Sequence, residues 1–151
     1  MMQANLPQPP EDLSPPGFLH EALGQLEELM VSYDTSLAPA EEREGGFSNI
    51  LGEALDPYLA GCRDLSQNME EVDKSVFVLN CLLAAESTLQ QFSFTTEHAA
   101  KLDVESDGLV RELVGFQHNF LVHTSGLYPL LTALHDWDPR VYISLSFVSH
   151  N

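Results

Sequence analysis

The residues in this 151-residue chain with the reactivity to do chemistry are six histidines, two cysteines and 23 acidic side chains. The histidines are His20, His98, His118, His123, His135 and His150. A bound zinc needs three or four His, Cys or carboxylate ligands at compatible spacing, and no His-Glu-x-x-His or comparable pattern is present. His118 and His123 are five apart, which places them on different faces of a helix. His123 falls on an apolar stripe and reads as a core or edge histidine. Nucleophilic catalysis asks for Ser or Cys beside a base on a strained turn. Cys62 and Cys81 sit inside helical apolar patterns and read as buried free thiols of a reducing compartment. Ser125-Gly126 reads as a close contact inside a helix. Phosphate-cradling glycine motifs are absent, and Gly45-Gly46 carries no such signal. Glu27-Glu28, Glu41-Glu42 and Glu70-Glu71 read as surface or first-turn acids. No residue is therefore assigned a catalytic, cofactor-binding or metal-binding role, and no protein-contact face is specified. The reading is of a non-enzyme without a cofactor.

Charge narrows the partners. Acidic residues outnumber basic ones 23 to 6, for a formal net charge of −17. Nucleic-acid binders neutralise phosphates with Lys and Arg, so nucleic acid is excluded as a partner. Direct docking on anionic lipid is disfavoured for the same reason. No stretch approaches the ~20 apolar residues of a membrane span, and the start lacks the basic and apolar regions of a signal peptide.

The elements that would position any site are helices. Residues 1–16 are Pro- and Gln-rich and read as a disordered lead. Residues 17–135 read as one helical bundle domain, with Ser14-Pro15-Pro16 suited to its start. Helices are expected at about 17–33, 40–63, 70–92 and 96–134. Leu19, Ala22, Leu23, Leu26, Met30 and Tyr33 share one face of the first. Phe47, Ile50, Leu51, Ala54, Leu55, Tyr58, Leu59 and Cys62 form the stripe of the second. Gly45-Gly46 is expected to delay its regular part to Phe47, and Asp56-Pro57 to kink it or to restart it with Asp56 as cap. Asn68 with Glu71 resembles a capping box for the third. That helix has two stripes, one through Val78, Cys81, Leu82, Ala85, Leu89 and Phe92, the other through Val72, Val76, Leu79 and Leu83. Two apolar sides predict a central helix. The fourth, with Thr95 as N-cap, carries Leu109, Leu113, Phe116, Phe120, Leu127, Leu130, Leu131 and Leu134, with a kink at Pro129. Residues 136–151 are an atypical tail. Val141, Ile143, Leu145 and Phe147 alternate with period two, a strand signal with no partner strand, so the tail reads as disordered. The fold class is all-α, an antiparallel helical bundle.

Four blocks carry a family resemblance. They are Leu26 to Asp34 continuing to Pro39, Leu55-Asp56-Pro57-Tyr58-Leu59-Ala60-Gly61-Cys62, Phe77-Val78-Leu79-Asn80-Cys81-Leu82, and Phe92-Ser93-Phe94-Thr95. In this order and spacing they resemble the C-terminal region of subunit six of the conserved oligomeric Golgi complex, over roughly Gly17 to Leu134. The resemblance implies a segment of a stacked-helix subunit in a multisubunit vesicle tether. It implies intra-Golgi retrograde transport, a peripheral position on the cytoplasmic face of the Golgi membrane, and no catalysis. The implied partners are fellow tether subunits, SNAREs and small GTPases. Family subunits are several times longer, and the pattern is lost after Trp137. The rival reading is an independent acidic adaptor domain that binds a partner's amphipathic helix.

Overall fold

Spacings of three and four in the apolar residues become buried stripes on successive helices. The computed structural model describes residues 8–35 and 39–137. These hold α1 (Gly17–Asp34), α2 (Ala40–Ala54), α3 (Asp56–Leu65), α4 (Glu71–Leu89), α5 (Thr96–Thr124) and α6 (Tyr128–His135). Short 3₁₀ turns, Ser66–Asn68 and Ser93–Thr95, precede α4 and α5. No strand occurs among the described residues. The fold is all-α. The period-two segment 141–147 lies outside the described residues, as do residues 1–7.

The chain divides into two compact units, one ending at Leu113 and one beginning at Val114. The first holds the core. Leu19, Leu23, Leu26 and Met30 of α1 are buried with Leu51 of α2, Leu59 and Cys62 of α3, and Cys81, Leu82, Ala85 and Leu89 of α4. Burying a Leu side chain contributes about 1.5–3 kcal/mol, so this cluster is the main stabilising term. At one end four rings pack together. Tyr33 lies 4.9 Å from Phe47 and 5.3 Å from Phe94, and Phe47 lies 5.0 Å from Phe94. Phe92 stands 5.6 Å from Phe94.

The restart expected at Asp56-Pro57 is found, so the second helix is two. Several other local expectations are replaced by other solutions. Asp56-Pro57 begins α3 after Leu55, where the missing proline amide needs no partner. Asp56 does not cap it with its side chain; its carboxylate instead meets His98 Nε2 at 2.9 Å. The glycine pair does not delay α2, which starts at Ala40. Gly46 has a packing reason, since a Cβ there would stand 2.9 Å from the Tyr33 hydroxyl. That hydroxyl donates to the Arg43 carbonyl, and its ring is held by Phe47 and Phe94. Gly45 has open space around it. Gly45→Ala is therefore expected to raise stability by about 0.5–1 kcal/mol, the ordinary helix gain. Gly46→Ala is expected to forfeit that gain and end below wild type. Thermal unfolding of the two variants side by side checks this.

None of the other expected side-chain caps forms. The N-cap of α4 is Glu70, without a side-chain hydrogen bond, and Asn68 lies in the 3₁₀ turn. Thr95 is buried and its hydroxyl faces back, toward Leu89 O at 2.6 Å and Phe92 O at 2.8 Å. It ties down the end of α4 rather than the start of α5. Ser14 bonds Asp12 and does not cap α1, whose N-cap is Pro16.

Residues 8–16, which composition reads as part of a disordered lead, lie against the first unit. Leu13 takes a left-handed backbone with φ of 59° and packs on the core. Its carbonyl accepts a hydrogen bond from Asn80 Nδ2 at 2.9 Å, and its amide donates to Pro10 O at 3.0 Å. The second stripe of α4 is not packed as that of a central helix. Val72 and Leu83 are exposed, and Val76 and Leu79 are half-buried. The helix buries one face only.

In the second unit α5 ends at Thr124, and Gly126 turns the chain with φ of 73°. That left-handed value favours glycine. Pro129 then falls in the first turn of α6 rather than inside a long helix.

Candidate interaction surface

The reactive residues do not converge. Among the described residues no group of three or more His, Cys, Asp or Glu is placed to hold a metal. Cys62 of α3 and Cys81 of α4 are both buried and free. The neighbouring Cys62 thiol, together with burial, pushes the Cys81 thiol above its ordinary range. A thiol held protonated is a poor nucleophile and packs as a small apolar group. His123 is exposed rather than in the core. It stacks on Tyr128 at 4.4 Å, and its Nδ1 donates to Asn119 O at 2.8 Å. Ser125-Gly126 is the turn before α6, not a contact inside a helix. Glu27, Glu28, Glu42, Glu70 and Glu71 are exposed. His150 lies outside the described residues.

Two polar features were missed in the sequence. Arg63 of α3 donates to the Glu105 carboxylate of α5 from Nε, at 3.1 Å, and from Nη2, at 2.7 and 2.9 Å. Both side chains are about two-fifths exposed, at 42% and 40%, so the pair sets geometry more than it adds stability. It borders a groove of about 460 Å³ that also meets Lys74, Glu71 and Glu112. Three carboxylates against two cations suit a polar or basic segment, not a small anion. The other feature is Glu86, only 5% exposed, which accepts a hydrogen bond from Ser106. Its signal was present: Glu86 follows Leu82 and Ala85 and precedes Leu89 at the spacing of the buried stripe.

The apolar surface that remains open is concentrated in the second unit. Phe116 and Val122 are half-buried there, while Val114, Phe120, Leu121, Leu130, Leu134 and Trp137 are each more than half exposed. Among the described residues this geometry offers open apolar surface to other helices.

The family model described as conserved oligomeric Golgi complex subunit 6, C-terminal, matches residues 1–150. The chain belongs to this family. A conserved oligomeric Golgi complex subunit 6 from Phaeosphaeria nodorum is 45% identical over 133 residues, covering 88% of this chain and 19% of that protein. The subunit 6 proteins of Sclerotinia sclerotiorum and Chaetomium globosum are 38% and 37% identical over the same length. The chain thus spans about a fifth of the length of the curated relatives it matches. No solved structure matches it. Within the matched residues, Asn80 is the residue that holds the lead at Leu13.

Proposed function

We propose that this chain works as a non-catalytic helical segment of a Golgi vesicle-tethering subunit, holding partner-binding surfaces at fixed spacing during intra-Golgi retrograde transport. The observation that carries this reading is the family match over residues 1–150. Supporting it, the described residues offer a packed helical core and open helix faces, and no convergent reactive groups. The partners are the other subunits of the tethering complex, with SNAREs and small GTPases engaged by the assembled tether. The net charge of −17 favours basic partner surfaces and opposes nucleic acid. None of the described helices is long and apolar enough to cross a membrane. That suits a peripheral protein on the cytoplasmic face of the Golgi, held there through partners.

The test is immunoprecipitation from the cells that make the chain, with an antibody to residues 47–62 and identification by mass spectrometry. Recovery of other Golgi tether subunits is the expected result. A chain that repeatedly arrives without them, and with one helical partner instead, overturns the tether reading in favour of an independent adaptor.

A further inference from the structure

Residues 8–16 are tied to the first unit around one serine. The Ser14 hydroxyl donates to Asp12 Oδ1 at 2.6 Å, and the Ser14 amide donates to the same oxygen at 3.1 Å. The hydroxyl first, and the amide second, hold the Asp12 carboxyl below its ordinary range. Between the two residues Leu13 has a left-handed backbone with φ of 59°. That conformation costs an L side chain energy and persists only where neighbouring contacts fix it. Here the Leu13 amide donates to Pro10 O at 3.0 Å, Asn80 Nδ2 donates to Leu13 O at 2.9 Å, and the Leu13 side chain packs on the core. The turn is a strained piece of chain closed by a serine–aspartate pair.

The same serine has a second property. Ser14-Pro15 is the single Ser-Pro or Thr-Pro step in the sequence. A proline after the serine supplies no backbone N–H and holds the serine extended, the local feature that proline-directed protein kinases select. The sequence has no lysine or arginine before Arg43, while Glu11 and Asp12 stand close to Ser14. A phosphate there finds acids along the chain and no cation.

We infer that Ser14 is a phosphorylation site for a proline-directed kinase, and that its phosphate releases residues 8–16 from the first unit. In the reaction the Ser14 Oγ–H bond breaks and an Oγ–P bond forms to the γ-phosphoryl group of ATP. The bond from that phosphorus to ADP breaks, and the proton leaves to solvent. The product carries about −1.5 to −2 charge at pH 7. In the closed turn that anion takes the place of a hydrogen now donated to the Asp12 carboxylate, so attraction becomes repulsion. Kinases take substrate segments in extended form, so the enzyme acts on the opened turn and the phosphate then blocks its closure. Access to the closed turn is not required. Release also withdraws Gln8 and Pro9 from one wall of a cleft of about 690 Å³, whose other wall includes Phe18, Leu65 and Met69. None of this depends on the tethering role.

The test treats the whole chain with a purified mitogen-activated protein kinase and Mg-ATP. Mass spectrometry locates the phosphate, and NMR follows amide hydrogen exchange. Phosphate is expected on Ser14. Exchange at the Leu13 and Ser14 amides is then expected to quicken by about tenfold or more, with the Cys81 and Leu82 amides of α4 unchanged. Asp12→Asn supplies the second reading, since its side-chain amide donates to a phosphate instead of repelling it. In that variant phosphorylation is expected to change exchange by less than about threefold. Absence of phosphate on Ser14 of the chain overturns the inference. So does exchange at Leu13 and Ser14 that phosphorylation leaves unchanged, or that is already rapid in the unmodified chain. Slower exchange overturns release in favour of a phosphate that caps the start of α1. Equal quickening in the Asp12→Asn variant overturns repulsion at Asp12 as its cause.

Discussion

Phe47→Ala is expected to cost about 3–5 kcal/mol, the range for removing a large ring from a core that cannot collapse around the gap. Phe47 is fully buried and touches both Tyr33 and Phe94 at ring distances of 4.9 and 5.0 Å. Truncation removes its transfer free energy and two aromatic pairs, each worth about 0.5–1.5 kcal/mol. Domain stabilities are about 5–15 kcal/mol, so the loss takes a large share of the total. Urea unfolding followed by far-UV circular dichroism is the measurement. Tryptophan fluorescence is the wrong probe, because the single Trp, Trp137, lies in the second unit and Phe47 in the first. Phe120→Ala is the control: Phe120 is 62% exposed, and its change is expected within about 0.5 kcal/mol. Equal effects at the two positions would show that the ring cluster is not the core of the first unit.

The contrast between those two phenylalanines marks what periodicity can and cannot reveal. Both sit on apolar stripes with helical spacing, and the stripe alone predicts burial for both. Leu19 to Met30 and Phe47 to Cys62 do bury, because neighbouring helices cover them. Phe120 and Leu130 do not, because a stripe says which face is apolar and not whether another element lies on it. The helix break at Pro57 was legible, since a proline removes a donor wherever it stands. The break at Gly126 was not, since a lone glycine is tolerated in a helix and its φ of 73° depends on context. Local capping motifs misled for a related reason. Thr95 has the right type and position for an N-cap, yet burial places its hydroxyl beside Leu89 O, and the tertiary partner wins. Of the candidate surface, the exposed acids such as Glu70 and Glu71 were readable by spacing, and the Arg63–Glu105 pair, 42 residues apart, was not.

Glu86 allows a prediction in which removing one group hurts more than removing two. Its carboxyl group is buried on α4 and meets the Ser106 hydroxyl on α5. Ser106→Ala deletes that donor and leaves a buried carboxyl group without it. A loss of about 1–3 kcal/mol is expected, the desolvation cost of a buried polar group stripped of its partner. Glu86→Met combined with Ser106→Ala removes both polar groups and fills the site with an apolar chain of similar length. That double variant is expected to return to within about 1 kcal/mol of wild type or to exceed it, as apolar replacement of buried polar pairs often does. The cycle is read from urea midpoints of the two single variants and the double, since residues in contact are where additivity fails. A Ser106→Ala variant as stable as wild type would mean that the carboxyl group takes another partner once the hydroxyl is gone. A double variant less stable than Ser106→Ala alone would mean that Glu86 holds α4 against α5 through contacts beyond Ser106, and that the pair is not exchangeable for packing.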